Sequence, residues 1–314
     1  MRILITGGAG FVGSHLADKY VTEGHEVVVI DNFMNGDMKN IQQLMDKKNF
    51  KLVTGDIRDV KLMDELTKGV DQVVHLAAQI HVDRSVKEPE LTYDINVKGT
   101  LNVLESARKF DIEKVLFAST SEVYGTAQYS PMDEKHPLNS PHPYGASKIA
   151  GDRMCYAFTQ SYGMNIAIMR CFNGYGPRQK DTGYGGAIPL FANKVLHDEN
   201  PVIFGTGEQT RDYVYIKDTV DAYDMVWRYP KPLDGPVNFG TGKEVKIIDI
   251  ANMIIKIYGK EGKLKPVHVD RRAGEVDQLI ADATKAHGLG WEAKVKFEDG
   301  LREYLAWYKK YKGF

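Results

Sequence analysis

Short, near-continuous apolar runs alternate with stretches of helical period along the first half of the chain. RILIT (2–6), EVVVI (26–30), KLVTGD (51–56), QVVHLAA (72–78), KVLFAST (114–120) and NIAIMR (165–170) read as strands. GSHLADKYVTEG (13–24) reads as a helix ending near Gly24, and 89–110 and 143–163 carry the i, i+3, i+4 spacing of longer helices. Strands without polar alternation are buried on both faces, so repeated strand–helix–strand units predict a parallel sheet with helices on each side. Regularity fails after Arg170: CFNGYGPRQKDTGYGGAIP (171–189) is long and rich in Gly and Pro, the signature of a functional loop. A break at YPKPLDGP (229–236) precedes VNFGTG (237–242), a strand that could return to the main sheet, and the chain ends in an amphipathic helix over 297–314.

Composition adds boundaries. The 314 residues carry a formal net charge of -1, which leaves no global field to recruit nucleic acid or an anionic membrane. Cys155 and Cys171 show neither metal-ligand nor disulfide spacing and sit in apolar patterns, as buried reduced thiols do. No metal site is expected. The apolar run at the start is too short for a signal peptide and no stretch is long enough to span a bilayer, so the expected location is the cytoplasm.

TGGAGFVGSHLA (6–17) follows the first strand and opens the first helix, with Gly7, Gly10 and Gly13 spaced G-x-x-G-x-x-G. Such glycines allow a tight turn, backbone approach to a pyrophosphate and close helix–strand packing, and the helix N-terminus offers amides to phosphate. Asp31, ending the second strand, suits the two ribose hydroxyls of an adenosine and would repel a 2′-phosphate. No Arg or Lys follows until Lys39, which favours NAD over NADP. The plain alternative is a structural glycine turn with Asp31 as a cap.

YGASK places Tyr144 and Lys148 four residues apart, on one helix face. A phenol with pKa near ~10 is a poor base at neutral pH, but a nearby ammonium and a cationic nicotinamide both favour the phenolate. An isolated Tyr–Lys pair would be a surface contact. Here it stands with STSE (119–122), a strip of hydroxyls ending in a carboxylate.

Together TGGAGFVGSHLA, GDIRD, HLAAQ, NVKGTLNVLE, STSEVYG, PYGASK, RCFNGYGPRQ, TRDYVYI and RRAGEVDQ resemble the extended short-chain dehydrogenase/reductase family, within it the nucleotide-sugar epimerases and dehydratases. They span nearly the whole chain in the family's order. The resemblance implies an α/β fold: a Rossmann-like doubly wound parallel sheet over 1–172, rejoined by a strand segment near 212–242, and a smaller mixed α/β nucleotide-sugar lobe over 173–314. It implies NAD held by Gly7, Gly10, Phe11, Val12, Gly13, Asp31, Asn32, Asp56, Ile57, Leu76, Ala77, Ala78, Gln79, Asn96, Tyr144 and Lys148. Tyr144 would be the base, Lys148 its partner and Thr120 the hydroxyl on the sugar's 4-oxygen. His81, Thr120, Asn173, Phe204, Arg211 and Arg272 would hold substrate, the two arginines its diphosphate. Salt bridging of Arg211 to Asp212, and a solvated Arg272, are the plain alternatives.

Thr120-Ser121-Glu122 looks like the Thr-Ser-Glu strip of GDP-mannose-type dehydratases, in which a glutamate removes the carbon-5 proton of a 4-keto sugar; Ser121 would relay a proton to the leaving hydroxyl. That favours an NDP-hexose 4,6-dehydratase. A UDP-glucose 4-epimerase-like activity is the alternative, with a UDP-glucuronate decarboxylase third and a non-catalytic NAD sensor fourth. Apolar positions near 188–191 and 202–204 would line the nucleobase pocket without naming the base. The helices over 91–110 and 144–162 are apolar on more than one side, which suggests a homodimer through a four-helix contact.

Overall fold

The computed structural model describes residues 1–181, 185–271 and 274–314. The chain divides into two compact units. Unit 1 is Met1–Val123, Ser140–Cys171 and Val220–Val237; unit 2 is Tyr124–Asn139, Phe172–Thr219 and Asn238–Phe314. One division between the units falls between Cys171 and Phe172, and two segments cross it in the sequence. Tyr124–Asn139 belongs to unit 2, because this polar, aperiodic stretch offers the sheet no apolar face. The segment that returns to unit 1 is Val220–Val237, narrower than 212–242.

From the N-terminus the elements are β1 (Arg2–Thr6), α1 (Phe11–Thr22), β2 (Glu26–Asp31), β3 (Phe50–Thr54), α2 (Val60–Thr67), β4 (Gln72–His75), α3 (Val82–Lys87), α4 (Pro89–Tyr93), α5 (Thr100–Lys109), β5 (Lys114–Thr120), α6 (Pro143–Tyr162) and β6 (Ile166–Cys171). There follow β7 (Asn173–Tyr175), α7 (Ala187–Leu196), β8 (Val202–Phe204), β9 (Thr210–Tyr215), α8 (Ile216–Arg228), β10 (Val237–Phe239), β11 (Glu244–Lys246), α9 (Ile247–Ile257), β12 (Val267–Val269), β13 (Gln278–Leu279), α10 (Thr284–Gly288) and α11 (Phe297–Tyr311). All six strand runs expected in the first half form, as does the returning strand.

The main sheet has seven strands in the order β10-β6-β5-β4-β1-β2-β3, and the pairs from β6 through to β3 are parallel. Strand order reverses between β1 and β4. A crevice outside the carboxyl ends of strands at such a reversal is where doubly wound sheets take ligands. Both faces are covered: on one, Leu4, Val28, Val73, Val115 and Phe117 pack with Leu104, Cys155 and Phe158 in one continuous core, and the alternating residues on the other, Ile3, Ile5, Val27, Val29, Val74 and Leu116, are fully buried. That explains why the strands read as solid apolar runs. Cys155 is fully buried, Cys171 is partly exposed, and both are free thiols.

The expected helix over 89–110 forms with an interruption. Asp94–Gly99, between α4 and α5, winds as a π-helix. Helices α2 and α3 were not anticipated; each is short, and its apolar repeat is too brief to register.

A buried histidine ties this sheet together. His75 Nδ1 lies 2.7 Å from Thr6 Oγ1 and Nε2 3.0 Å from Thr100 Oγ1, joining β4 to β1 and α5. Burial, with the charge of Lys148 behind it, lowers its pKa to about 3. The folded state therefore keeps His75 neutral where the unfolded chain, titrating near ~6.5, binds a proton. Stability from this group is complete above ~6.5 and falls as pH drops towards 3, by up to about 1.4 kcal/mol per unit. Urea unfolding at pH 7, 6 and 5 should show that slope, and His75→Asn should flatten it. An unchanged slope in the variant would refute this account.

In unit 2, β9 is paired by β11 (antiparallel), by β13 and by β7 (both parallel), and β8 pairs with β12. Asp212 on β9 is the buried staple. Its carboxylate accepts from Thr241 N (2.8 Å), Thr241 Oγ1 (2.6 Å), Gly242 N (2.9 Å) and Ala281 N (3.2 Å).

Candidate active site

The turn after β1 is built for close approach. Gly7 has φ +72°, and a Cβ there would come within 2.8 Å of Ala77 N. One at Gly13 would lie 2.8 Å from Gly8 Cα. Gly10 is the N-cap of helix α1 and supplies no side-chain cap, so the first amides are left for a ligand. Phe11 and Val12 open that helix, half-buried. At the end of β2, Asp31 accepts from Ala9 N (2.9 Å) and Phe33 N (2.8 Å). Burial pushes its carboxyl up and those two N–H donors pull it back. Uncapped amides, glycines without room for Cβ and a fixed carboxylate fit the diphosphate and ribose of a dinucleotide.

Asn32 and Asp56 come together beside this cradle, while the side chain of Ile57 is buried in the core of unit 1 against Gly99. Asn32 Nδ2 donates to Asp56 Oδ2 at 2.8 Å, and the guanidinium of Arg58 holds the Asp56 carboxyl down at about 2. Arg58 also bonds Asp94 at 2.7 Å. Past β4, Leu76 N and Ala77 N both donate to Thr6 Oγ1 at 3.2 Å, and Ala78 O accepts from Asn35 Nδ2 at 3.0 Å.

Gln79 and Asn96 were expected along the cofactor, but their side chains turn inward. Asn96 Oδ1 accepts from Gln79 N (2.8 Å), and its Nδ2 donates to Gln79 O (2.8 Å) and Ser147 Oγ (2.9 Å). Gln79 Nε2 donates to Thr92 Oγ1 (3.0 Å) and His81 O (3.1 Å). These amides brace the 76–79 turn against α6. The π winding re-aims Asn96 for the task, a use such bulges often serve. Asn35, Thr92 and Ser147 complete the brace; the sequence offered no motif for them. His81, expected on substrate, is buried with its Nε2 2.9 Å from Asn35 Oδ1.

The residues expected to be catalytic, Thr120, Ser121, Glu122, Tyr144 and Lys148, all lie within unit 1. Strand β5 ends at Thr120, and Ser121–Val123 form a 3-10 turn. Ser121 is buried, and Glu122 N donates to Thr120 Oγ1 at 3.3 Å. Tyr144 stands in the first turn of α6 behind Pro143, where a missing N–H costs nothing. Its hydroxyl hydrogen-bonds Thr120. Burial pushes the phenol well above its ordinary value, the Thr120 bond pulls it down, and the charge of Glu122 pushes it up again. One turn on, the Lys148 ammonium lies 4.3 Å from the centre of the Phe117 ring, and burial lowers it to about 8, with Cys155 and Asp152 opposing. Burial thus dominates the phenol, and the charge of Lys148, expected to favour the phenolate, is not among the influences on it. Gly145 is small for a reason: a Cβ there would sit 2.8 Å from Glu122 O. His142, which sequence reasoning missed, caps α6 and reaches Glu122 Oε2 at 3.2 Å. Its only signal is its place before Pro143.

In unit 2, Arg211 is mostly buried, donating to Thr210 O (2.9 Å) and Glu275 Oε1 (3.3 Å). The alternative pairing with Asp212 does not form. Asn173 Nδ2 faces Asp212 O at 3.4 Å. Phe204, with Leu190, Phe191 and Val202, lines a cavity of about 730 Å³, in the region expected for a nucleobase. Arg272 lies outside the described residues. Among the described residues no group of three or more His, Cys, Asp or Glu has metal-binding geometry, and no helix is long and apolar enough to cross a membrane.

A family profile described as GDP-mannose 4,6 dehydratase matches residues 4–304. The chain belongs to that family. It is 40% identical over 309 residues to a putative UDP-glucose 4-epimerase of Methanocaldococcus jannaschii, covering 98% of each chain. The UDP-glucose 4-epimerase of Thermotoga maritima, solved with UDP-glucose, superposes with a TM-score of 0.93 at 34% identity, over 99% of this chain and 100% of that one. The dTDP-glucose 4,6-dehydratase of Streptomyces venezuelae, solved with NAD, has a TM-score of 0.93 at 31% identity, over 100% of this chain and 98% of that one. The protein is thus an enzyme of the NAD-dependent nucleotide-sugar epimerases and dehydratases, with the Rossmann-like fold the sequence implied. Within this family the cofactor expected from Gly7, Gly13 and Asp31 is NAD, and the cradle described above fits it.

Proposed function

We propose that the protein is a 4,6-dehydratase of a nucleoside diphosphate hexose. One observation carries the reading: Glu122 Oε2 is held 3.2 Å from Nε2 of His142, the cap of the helix whose first turn bears Tyr144, so a carboxylate stands at the head of that helix. A 4-epimerase needs no second base at this place. A dehydratase does, because a 4-keto group acidifies carbon 5 and a base must take that proton.

When bound, NAD takes up a hydride and later returns it. Tyr144 Oη removes the proton of the sugar's 4-hydroxyl, and Thr120 Oγ1, on the same hydrogen bond, holds the 4-oxygen. Glu122 then removes the carbon-5 proton, and the carbon-6 hydroxyl leaves as water with a proton relayed past Ser121. Arg211 and Arg272 would hold the diphosphate, as a planar fork suits phosphate oxygens. Asn173 and Phe204 would contact sugar and base.

The second reading is a 4-epimerase, favoured by the identity to the M. jannaschii protein. Incubation with GDP-mannose, UDP-glucose, UDP-N-acetylglucosamine and dTDP-glucose separates the two. A product lighter by one water is expected; unchanged mass with inverted carbon 4 would overturn the dehydratase reading. Glu122→Gln should lower elimination about a hundredfold, within the usual range for a lost general base.

The protein is further proposed to pair as a homodimer through α5 and α6, where Leu101, Tyr156 and Tyr162 stay exposed. Sedimentation returning one 35.3 kDa species would remove this.

A further inference from the structure

His142 occupies the N-cap of α6 with extended backbone, φ −137° and ψ 155°. Short side chains such as Ser, Thr, Asp or Asn usually serve there. Here the imidazole does so: Nδ1 accepts from Gly145 N at 3.0 Å. That bond decides the tautomer. A backbone N–H only donates, so Nδ1 presents its lone pair and the ring proton sits on Nε2. Nε2 lies 3.2 Å from Glu122 Oε2, so it donates to the carboxylate. The ring is 4% exposed and runs nearly parallel to Tyr144, at 7° and 6.0 Å between centroids. One side chain thus links the helix that carries Tyr144 and Lys148 to the strip that carries Thr120 and Glu122.

We infer that His142 is a positioning residue: it fixes the Glu122 carboxylate beside the catalytic phenol while capping the helix on which that phenol stands. The inference rests on Glu122 acting as the carbon-5 base. A carboxylate on a rotatable side chain loses about tenfold or more in rate when its geometry loosens.

The test separates the two duties of the ring. His142→Ser keeps a capping oxygen but does not reach Glu122; His142→Ala keeps neither. His142→Ser should keep the parent's NAD affinity and hold KM within about twofold, melting below the parent only by what the lost ring packing costs, with kcat and deuterium uptake at carbon 5 from D2O both down about tenfold. His142→Ala should show the same kcat loss and melt earlier than His142→Ser, because it also loses the cap. In the unmodified full chain, 15N-histidine spectra should report the Nε2–H tautomer for His142. A His142→Ser enzyme with kcat within twofold of the parent overturns the inference, as does an Nδ1–H signal or a kcat loss tracked by lost NAD affinity. Full activity of Glu122→Gln strikes instead the reading of Glu122 as base, and the two failures are told apart by which variant stays active.

Discussion

Tyr144→Phe should lower turnover about a thousandfold or more while NAD binding and melting temperature stay near the parent's. The variant deletes one oxygen. That oxygen bonds Thr120 and, in the proposed reaction, takes the 4-hydroxyl proton. No other side chain on this face of α6 can take its place: Lys148 lies a turn away over Phe117. Loss of a general base costs about a hundredfold to ten-thousandfold, and this proton opens the reaction, so the upper part of that range applies. The aromatic ring remains to pack against His142, and the cap of α6 does not involve the phenol. Product formation from the true substrate, followed beside the absorbance of reduced nicotinamide, checks this. Turnover within tenfold of the parent would remove Tyr144 from the chemistry, and with it the reading as an active family member rather than an NAD sensor.

Arg170→Met should destabilise unit 1 by about 3–5 kcal/mol, the usual effect of stranding one partner of a buried ion pair. Arg170 donates to Asp152 through Nε at 2.9 Å and Nη2 at 3.1 Å, and Ser119 Oγ adds a bond at 3.0 Å. Asp152 is 0% exposed and Arg170 2%, so neither charge gains water when the other is lost. The pair ties α6, which carries Asp152, to β6, which carries Arg170, and Asp152 is one of the groups that oppose the downward shift of Lys148. The double replacement Arg170→Met with Asp152→Leu should cost less than Arg170→Met alone, because no charge is then left unpaired. Urea midpoints of the three proteins decide it. A single variant that unfolds at the parent's midpoint would show that this pair is not the buried anchor its geometry implies.

What the sequence made legible follows from what each element had to bury. The strands of unit 1 are covered on both faces, so their apolar runs could not be mistaken. The turn from Gly7 to Gly13 was legible because crowding leaves no residue but glycine. The Tyr144–Lys148 spacing was legible because helix geometry puts i and i+4 side by side. Other features left no such mark. Adjacent strand residues point to opposite faces, which is why Asp212 turns into the core of unit 2 while Arg211 faces Glu275. Pattern alone named the pair without saying which way each would turn. Tyr124–Asn139 has no period and so gave no sign of belonging to unit 2. His142 escaped notice because a histidine cap is rare, and its contact with Glu122 spans 20 residues of sequence.

The stretch from Asp94 to Gly99 carries a consequence for how this chain tolerates change in length. A π turn holds one residue more than its neighbours need. Excising a single residue there would let α4 and α5 fuse into one unbroken helix, which local energetics would favour. It would also swing Asn96 about 100° around the axis, away from Gln79 and Ser147. The shortened protein would keep its helix and lose its brace, so the surplus residue is the insertion this fold is least free to give back.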